Sequence, residues 1–323
     1  MNNHFVEANT PHRHPAFFKN FRPLRRVVST HMLALAMLIG AAQIASAQKS
    51  ASTTTPGFRP APLFDASAIS LRTLPNGVRS VVRQTRGTGV VAVQVWVKAG
   101  SRHENERTAG ASHLVGTLAL SASQKYPAAQ GGPLSALQAL GGQASSLTAR
   151  DSTLYNATVA APHLPNALGI LSDAVLRPRL GDADVRLAKG DAQTDIVRRA
   201  TDPVALLSDM AYRAAFSRHP YRFSAGGTTQ NIEKLLGATV RSYHRARYVG
   251  RNISVIVAGD VNATAAHALV AQNFSVASKA APPPLAISPE AAPLVRKTQF
   301  RKLNAQRSAT AIAFRAPGID APR

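Results

Sequence analysis

Histidine is the main candidate for metal binding or proton transfer in this chain, because the sequence has 10 His and no Cys. The lack of Cys excludes a disulfide framework, a Cys-ligated zinc finger, an iron–sulfur cluster and a thiol nucleophile. No two of the histidines beyond residue 31 have the spacing of a metal-ligand pair. They are His103, His113, His163, His219, His244 and His267. The sequence also lacks a G-x-S-x-G elbow, a P-loop and a G-x-G-x-x-G turn after a strand.

The elements that must position these side chains indicate an α+β chain, because strands come first, helices follow, and another strand and helix come after them. The sequence Leu74-Pro75-Asn76-Gly77 predicts a tight hairpin turn. Apolar patterns predict strands at 78–83, 90–97, 253–257 and 309–314. The continuous apolar run at 90–97 is typical of a strand covered on both faces. Helical stripes predict helices at 109–123, 164–175, 183–216 and 266–274, with Asp202-Pro203 interrupting the third.

The chain is strongly basic, with 38 Lys and Arg against 16 Asp and Glu and a formal net charge of +22. These basic residues are spread along the sequence, and few aromatic residues are interleaved with them. A solvated basic surface accounts for this pattern, and adhesion to an anionic envelope surface is the alternative. The sequence has no nucleic-acid-binding motif, so no specific nucleic-acid partner is expected.

The first residues predict export from the cytoplasm. Basic residues precede an apolar run from Met32 to Ile44, which ends at the small-residue cleavage site Ala45-Ser46-Ala47. This order is that of a secretory signal peptide over residues 1–47, and a Ser/Thr/Pro-rich linker follows over 48–65. The run is short for a membrane span of about 20 residues, which disfavours the alternative of an N-terminal anchor. The mature protein is expected to be periplasmic or secreted, after cleavage near Ala47.

A set of short motifs over residues 66–320 resembles the insulinase/pitrilysin-like family of zinc metallopeptidases. The motifs are Leu74-Pro75-Asn76-Gly77-Val78, the segment VWVKAGSRHE at 95–104, Gly110-Ala111-Ser112-His113-Leu114, the block 141–155 with Gly141-Gly142 and Asp151, His219-Pro220-Tyr221, and Tyr248 followed by Gly259-Asp260. Their shared order and spacing carry the resemblance. It implies an α+β half-domain, with a mostly antiparallel sheet packed with helices, and a second similar half.

The resemblance implies a metal site on the helix that carries His113. In the family, an H-x-x-E-H motif places two zinc-binding His on one helical face, and the Glu activates the metal-bound water. Here the motif reads His113-Leu114-Val115-Gly116-Thr117. The first ligand is present, but Gly116 stands at the general-base position and Thr117 at the second ligand position. By spacing, the third ligand position falls near Asp195.

These departures predict a degenerate zinc site with no catalytic residue. One His and one Asp give two ligands, whereas a catalytic zinc site uses three protein ligands and an open position. We therefore interpret His113 and Asp195 as remnant positions and expect no cofactor, or zinc if the site functions. His103 and Glu104 are nearby donors that could rebuild the site. The resemblance instead makes Glu104 a structural partner of Arg102, in a solvated loop with a local ion pair.

The resemblance also implies a peptide-binding sheet edge formed in part by residues 141–148. Family peptidases hold an extended peptide beside such an edge by strand addition. The substrate-edge candidates are Gly142, Ser145, Ser146 and Thr148. Because Ser145-Ser146 stands where the family usually has Asn before Ala, the resemblance extends to the edge itself but gives no firm expectation for the family's side-chain contact to the peptide.

The resemblance divides the chain into two domains. Residues 66–244 correspond to the N-terminal insulinase-like domain, and residues 245–323 to the start of a second similar domain that is expected to be truncated. An incomplete half would leave apolar surface and unpaired strand edges open, which favours association with a partner.

These features predict an exported, non-catalytic member of the family that pairs with an active homologue and helps to shape its peptide-binding chamber. Two alternatives remain at this stage: a metal-dependent endopeptidase acting on peptides, and a basic envelope-binding protein. Stoichiometric zinc would favour the endopeptidase. Salt-sensitive binding to an anionic polymer, without a protein partner, would favour the envelope-binding protein.

Overall fold

The computed structural model describes residues 68–285, 287, 290, 296–303 and 308–314. They belong to one compact unit, Ala66–Arg323. The predicted signal peptide and linker lie outside the described residues, so both stay predictions. None of the helices in the described part of the chain is long and apolar enough to cross a membrane.

The described residues form one six-stranded sheet and eight α-helices. The strands are β1 (Ile69–Thr73), β2 (Arg79–Gln84), β3 (Val90–Val97), β4 (Gln143–Thr148), β5 (Thr153–Ala160) and β6 (Ile253–Gly259). The helices are α1 (Ala111–Ser121), α2 (Gly132–Ala139), α3 (Leu164–Leu176), α4 (Asp182–Thr201), α5 (Pro203–Ala215), α6 (Thr229–Lys234), α7 (Gly237–Arg247) and α8 (Ala263–Phe274).

The strands lie in the order β1-β2-β6-β3-β5-β4. Every neighbouring pair is antiparallel except β2 and β6, which run parallel. The predicted α+β fold, with a mostly antiparallel sheet packed with helices, is therefore confirmed. Strands β1 and β4 form the two edges of the sheet.

Strand β6 lies inside this sheet rather than in a second one. Val255 is paired with Ser80 of β2 on one side and with Val95 of β3 on the other. Its inward side chains are fully buried. The predicted second domain, which starts at residue 245, includes this strand, and the structure makes it the third strand of the six-stranded sheet. The division of the chain into two domains stays a prediction. The physical reason is that an interior position satisfies the backbone of an apolar strand on both sides.

The helices pack against one face of the sheet and enclose its core. The predicted stripe on α3 is fully or almost fully buried, and α3 packs on β3 and β5. Each such side chain contributes about 1.5–3 kcal/mol on burial. On β3 the buried residues alternate with Gln94 and Trp96, and Trp96 is 37% exposed. The expectation that β3 is covered on both faces is thus wrong for the part of the chain that the structure describes.

Two local predictions have opposite outcomes. The turn at residues 74–77 is confirmed, since Gly77 has a φ of +90° and its N–H donates to the carbonyl of Leu74 at 2.8 Å. The strand predicted at 309–314 is wrong, because residues 308–314 have no regular secondary structure. Ile312 and Phe314 are 79% and 86% exposed. An apolar alternation forms a strand only where a partner strand takes its hydrogen bonds, and no described strand lies beside this segment.

Candidate functional site

Helix α1, which carries His113, is held at its N-terminus by a buried carboxylate. Gly110 precedes the helix in a left-handed conformation, with a φ of +95°, that favours glycine. Glu104 accepts hydrogen bonds from the N–H groups of Gly110 (2.9 Å) and Ser112 (2.7 Å), and from the Ser112 hydroxyl (2.6 Å). A carboxylate here satisfies unpaired helix donors and complements the helix dipole. Burial raises the pKa of Glu104 to about 7, against the lowering effect of these hydrogen bonds.

The structure contradicts the expected pairing of Glu104 with Arg102 in a solvated loop. Glu104 is only 5% exposed, and Arg102 Nη1 lies instead 3.2 Å from Asp151 Oδ1. The turn around His103 separates the two side chains, so that Glu104 reaches α1 while Arg102 reaches Asp151. His103 Nδ1 accepts a hydrogen bond from the Gly100 N–H at 3.2 Å. Burial lowers the pKa of His103 to about 4. Both donors that could rebuild a metal site are thus engaged with backbone groups.

Gly116 is a point of close contact between α1 and the sheet. A Cβ atom at Gly116 would lie 2.5 Å from Thr148 Oγ1 and 3.4 Å from Thr153 Cγ2. Thr148 Oγ1 in turn donates to the carbonyl of Ser112 at 3.4 Å. Since Cβ atoms essentially never come within 3.0 Å of a non-bonded heavy atom, any side chain at position 116 would require the Thr148 side chain to rotate away, or the end of β4 or the helix to shift. Close packing thus explains a glycine that sequence reasoning could assign only to lost chemistry.

His113 and Thr117 lie one turn apart on α1 and are both partly exposed. Asp195 lies on α4, which packs against α1. Burial lowers the pKa of His113, the nearby Asp195 carboxylate raises it, and the Arg199 guanidinium lowers it further. The structure therefore brings His113 within electrostatic reach of Asp195, at the place that the sequence spacing predicts. The identification of both as remnant metal positions stays a prediction.

Two arginines that sequence reasoning missed share one aspartate beside this pair. Asp209 Oδ1 lies 2.8 Å from Arg150 Nη2, and Asp209 Oδ2 lies 3.7 Å from Arg199 Nη2. The Ser224 hydroxyl donates to the same Oδ2 at 2.8 Å. The Arg150 guanidinium also lies 3.6 Å from the centre of the Tyr212 ring. These residues come from distant parts of the sequence and match no spacing rule, so no sequence pattern indicates the cluster.

The side chains at the His113 position do not fit zinc. Thr117 offers a neutral hydroxyl, Gly116 offers no side chain, and Asp195 is already paired with Arg198 at 3.0 Å. Nowhere in the described residues do three His, Asp or Glu side chains come together with metal-binding geometry. The positive charge of Arg199 also acts on His113, and a cation beside the position disfavours a second cation there.

The predicted substrate edge lies on an edge strand. Strand β4 pairs with β5 on one side only, with Ser145 opposite Asn156 and Thr148 opposite Thr153. A Cβ at Gly142 would lie 2.6 Å from Val159 Cγ1, so Gly142 allows the close approach that starts the strand. Backbone groups on the outer side of β4 have no strand partner among the described residues. The edge could therefore accept an extended chain, while the roles of Gly142, Ser145, Ser146 and Thr148 stay predictions.

The comparisons with known proteins give one family over most of the chain. Residues 79–229 match the family described as insulinase (peptidase family M16). Residues 237–323 match the one described as peptidase M16 inactive domain. The two matched regions meet near the start of α7 and together include α1, α4 and all the strands except β1.

Relatives with sequence similarity include zinc proteases and processing-peptidase subunits. An uncharacterized zinc protease of Mycobacterium tuberculosis is 32% identical over 218 residues, which is 67% of this chain and 49% of the relative. The mitochondrial-processing peptidase subunit alpha of Pongo abelii is 30% identical over 54% of this chain and 34% of its own length. Subunit beta of Rattus norvegicus is 27% identical over 58% and 38%. The chain thus spans about half, or less, of the length of these relatives.

Solved structures share the fold. A protease from Helicobacter pylori superposes with a TM-score of 0.64 at 23% identity, covering 68% of this chain and 53% of that chain. The periplasmic protease PqqL from Escherichia coli gives a TM-score of 0.64 at 18% identity, covering 72% and 26%. At these identities the likeness concerns the fold alone.

Proposed function

This chain belongs to the insulinase (M16) peptidase family, and we propose that it is a non-catalytic member that works as the partner of an active homologue. The role combines peptide binding at the β4 edge with contact to a subunit that carries an intact H-x-x-E-H motif. The alternative is a metal-dependent endopeptidase, which agrees with the printed names of the mycobacterial relatives.

One observation carries the proposal: Thr148 fills the space beside Gly116. The general base of the family is a Glu side chain that would have to leave α1 at this position. Here the end of β4 lies against the helix backbone, with Thr148 Oγ1 only 2.5 Å from where a Cβ would be. The helix and the edge strand are packed as a structural contact, which supports a role that does not need the base.

The proposal of a partner draws on the relatives. Two of them, from different organisms, are named as subunit alpha and subunit beta of the mitochondrial-processing peptidase. Both are similar to this chain over more than half of its length. A family in which related chains occur as named subunits supports pairing of this chain with a homologue.

Metal analysis and a peptidase assay on the same sample test the catalytic part of the proposal. The full chain is expected to contain far less than one zinc per molecule after dialysis, and to leave a set of extended peptides uncut. One zinc per chain together with chelator-sensitive cleavage would establish the endopeptidase instead.

Co-expression tests the partner. A homologue with intact H-x-x-E-H from the same genome is expected to co-purify with this chain and to cleave peptides faster in its presence. The matched control is the same homologue without this chain. If the two chains elute separately and the cleavage rate does not change, the pairing is refuted.

Export is part of the same proposal. The chain is expected to be found outside the cytoplasm with Gln48 as its first residue, because the predicted signal peptide ends at Ala47. Mass spectrometry of the N-terminal peptide from a cell fractionation checks this. A chain that stays in the cytoplasm with its first residues intact would contradict it.

A further inference from the structure

We propose that the remnant metal position is a carboxylate-binding site, in which Arg199 provides the positive charge and the ligand is an acidic group of a peptide lying along β4. The inference rests on the proposed function. A member that holds a peptide without a metal ion needs a permanent positive charge to bind an acidic group of that peptide. It adds the chemical class of the bound group to that function.

Arg199 lies on α4, the helix that packs against the helix carrying His113. It lies one helical turn after Asp195 on α4, and both charges act on His113 across the contact between α1 and α4. Residues four apart share one face of a helix, so Arg199 and Asp195 face the same region. The structure thus holds a permanent guanidinium charge beside His113.

The guanidinium of Arg199 has unused donors. Arginine carries five N–H groups, and the nearest carboxylate oxygen, Asp209 Oδ2, lies 3.7 Å away, beyond hydrogen-bond distance. Its Nε is buried and has no hydrogen-bond partner among the described residues. The side chain as a whole is 41% exposed, so an incoming group can reach it. The exposed part of the guanidinium, rather than the buried Nε, is what an incoming carboxylate would contact, and a carboxylate there would accept charge-assisted hydrogen bonds.

The neighbouring aspartate does not neutralise this charge. Asp209 is engaged by Arg150 at 2.8 Å and by the Ser224 hydroxyl at 2.8 Å. Two guanidinium groups therefore share one carboxylate, which leaves about one positive charge in excess. Asp195 adds little compensation, because its carboxylate is paired with Arg198 at 3.0 Å.

The edge strand leads to this charge. Thr148, the last residue of β4, touches α1 at Gly116, one turn along the helix from His113. Arg150 follows two residues later and joins the Asp209 cluster. A peptide that adds to β4 would therefore pass the helix face beside His113 and bring one of its side chains, or its C-terminus, to Arg199. An acidic group is the chemistry that a guanidinium favours when it shares its carboxylate partner with a second guanidinium.

Peptide binding to the full chain tests the site. The probes are fluorescein-labelled ten-residue peptides of Thr and Val, acetylated and amidated, with one Glu at each position in turn and Gln in the matched set. The peptide with Glu at one particular position is expected to bind about tenfold more tightly than the matched peptide with Gln there, which is the gain of a charge-assisted hydrogen bond. A Gln peptide with a free C-terminal carboxylate distinguishes a chain end from a side chain as the bound group.

Variants assign the preference to Arg199. Arg199→Gln is expected to abolish the Glu preference, and Arg199→Lys to keep part of it. Arg186→Gln is the matched control, since it removes one charge from an exposed position on the same helix and is expected to change nothing. Circular dichroism checks that each variant is folded. If Arg199→Gln does not fold, the preference of the unmodified chain for Glu over Gln peptides still tests the inference.

Two outcomes overturn the inference: equal affinity for Glu and Gln peptides, or a Glu preference that survives Arg199→Gln. Absence of any peptide binding overturns it as well. Zinc content and cleavage are measured separately on the same samples, so equal affinities or a surviving Glu preference leave the proposed function standing. Absence of any peptide binding would also remove the peptide-binding part of that function, while the pairing with a homologue is tested separately by co-expression. Stoichiometric zinc with cleavage would instead overturn the proposed function itself.

Discussion

Glu104 and Ser112 form the contact that anchors the helix of the candidate site. Both oxygens of the carboxylate are used, one by the N–H and hydroxyl of Ser112 at 2.7 and 2.6 Å, the other by the N–H of Gly110 at 2.9 Å. Glu104 lies in the loop before α1, so this contact fixes the start of the helix that carries His113. The carboxylate is buried, and its protonation therefore affects stability.

Glu104 makes the folded protein less stable as pH rises. Burial raises its pKa from 4.5 to about 7, so the folded state favours the protonated form. The stabilising contribution is complete below pH 4.5 and is lost as pH rises through 7. Between pH 5 and 8 the loss is about 2–3 kcal/mol.

Urea unfolding of the unmodified chain and of Glu104→Gln at pH 5 and pH 8 isolates this contribution. Gln cannot ionise, so the difference in unfolding free energy between the two proteins should shift in favour of the variant as pH rises. Other groups, such as His103 with its pKa lowered to about 4, are present in both proteins and cancel. A difference that does not vary with pH would show that Glu104 is not buried in the way described.

Gly116 and Gly190 should respond in opposite ways to the same substitution. Both are helical, but a Cβ at Gly116 would lie 2.5 Å from Thr148 Oγ1, whereas nothing lies within 4 Å of one at Gly190. Gly190→Ala should stabilise the protein by about 0.5–1 kcal/mol through helix propensity. Gly116→Ala should destabilise it by about 1–2 kcal/mol, because overpacking outweighs the same gain.

A double variant tests whether Thr148 is the cause. In Gly116→Ala with Thr148→Ala, the Oγ1 atom is gone, and the two substitutions should be coupled by about 1 kcal/mol in denaturant titrations. Strictly additive effects would mean that the helix and β4 are not in contact at this point.

The sequence predicts local elements well and their spatial arrangement less well. The turn at residues 74–77, the strand at 90–97 and the helix break at Asp202-Pro203 depend on neighbouring residues, and all three are found. The position of β6 between β2 and β3 depends on pairing between strands far apart in sequence, which apolar alternation does not encode. For the same reason the alternation at 309–314 predicts a strand that the structure lacks.

The candidate site shows the same division. Motif spacing leads to Asp195, which lies on the helix that packs against the helix carrying His113; the role of both residues as remnant metal positions stays a prediction. The Asp209 cluster could not be foreseen, since Arg150, Arg199 and Asp209 come from three separate elements. The closeness of Gly116 to Thr148 depends on the packing of α1 on β4. The sequence carries no signal for this contact, because residues 116 and 148 meet only in the folded structure.

Asp209 should matter more to stability than Asp195. The Arg150–Asp209 pair is 14% and 18% exposed, whereas the Asp195–Arg198 pair is 44% and 76% exposed. Asp209→Asn should cost about 2–3 kcal/mol, because it leaves two guanidinium groups close together without a carboxylate. Asp195→Asn, the matched control, should change stability by less than about 0.5 kcal/mol. Chemical denaturation measures both, and equal effects would contradict the description of the cluster.

Thr117→His should give the chain a measurable affinity for zinc. The new imidazole would lie one turn from His113 on the same helix face, and together with Asp195 it would complete three ligands. The nearby charge of Arg199 opposes a bound cation, so adding Arg199→Gln should raise the affinity about tenfold or more. Adding Arg186→Gln instead should leave it unchanged, since that residue lies more than two turns earlier on α4.

Cobalt absorption spectra and competition with zinc report the affinity. Peptide cleavage should stay at background in every variant, because Gly116 provides no general base. If Thr117→His and its combination with Arg199→Gln both bind no metal, Asp195 does not face His113, and the electrostatic relation between α1 and α4 described above is wrong.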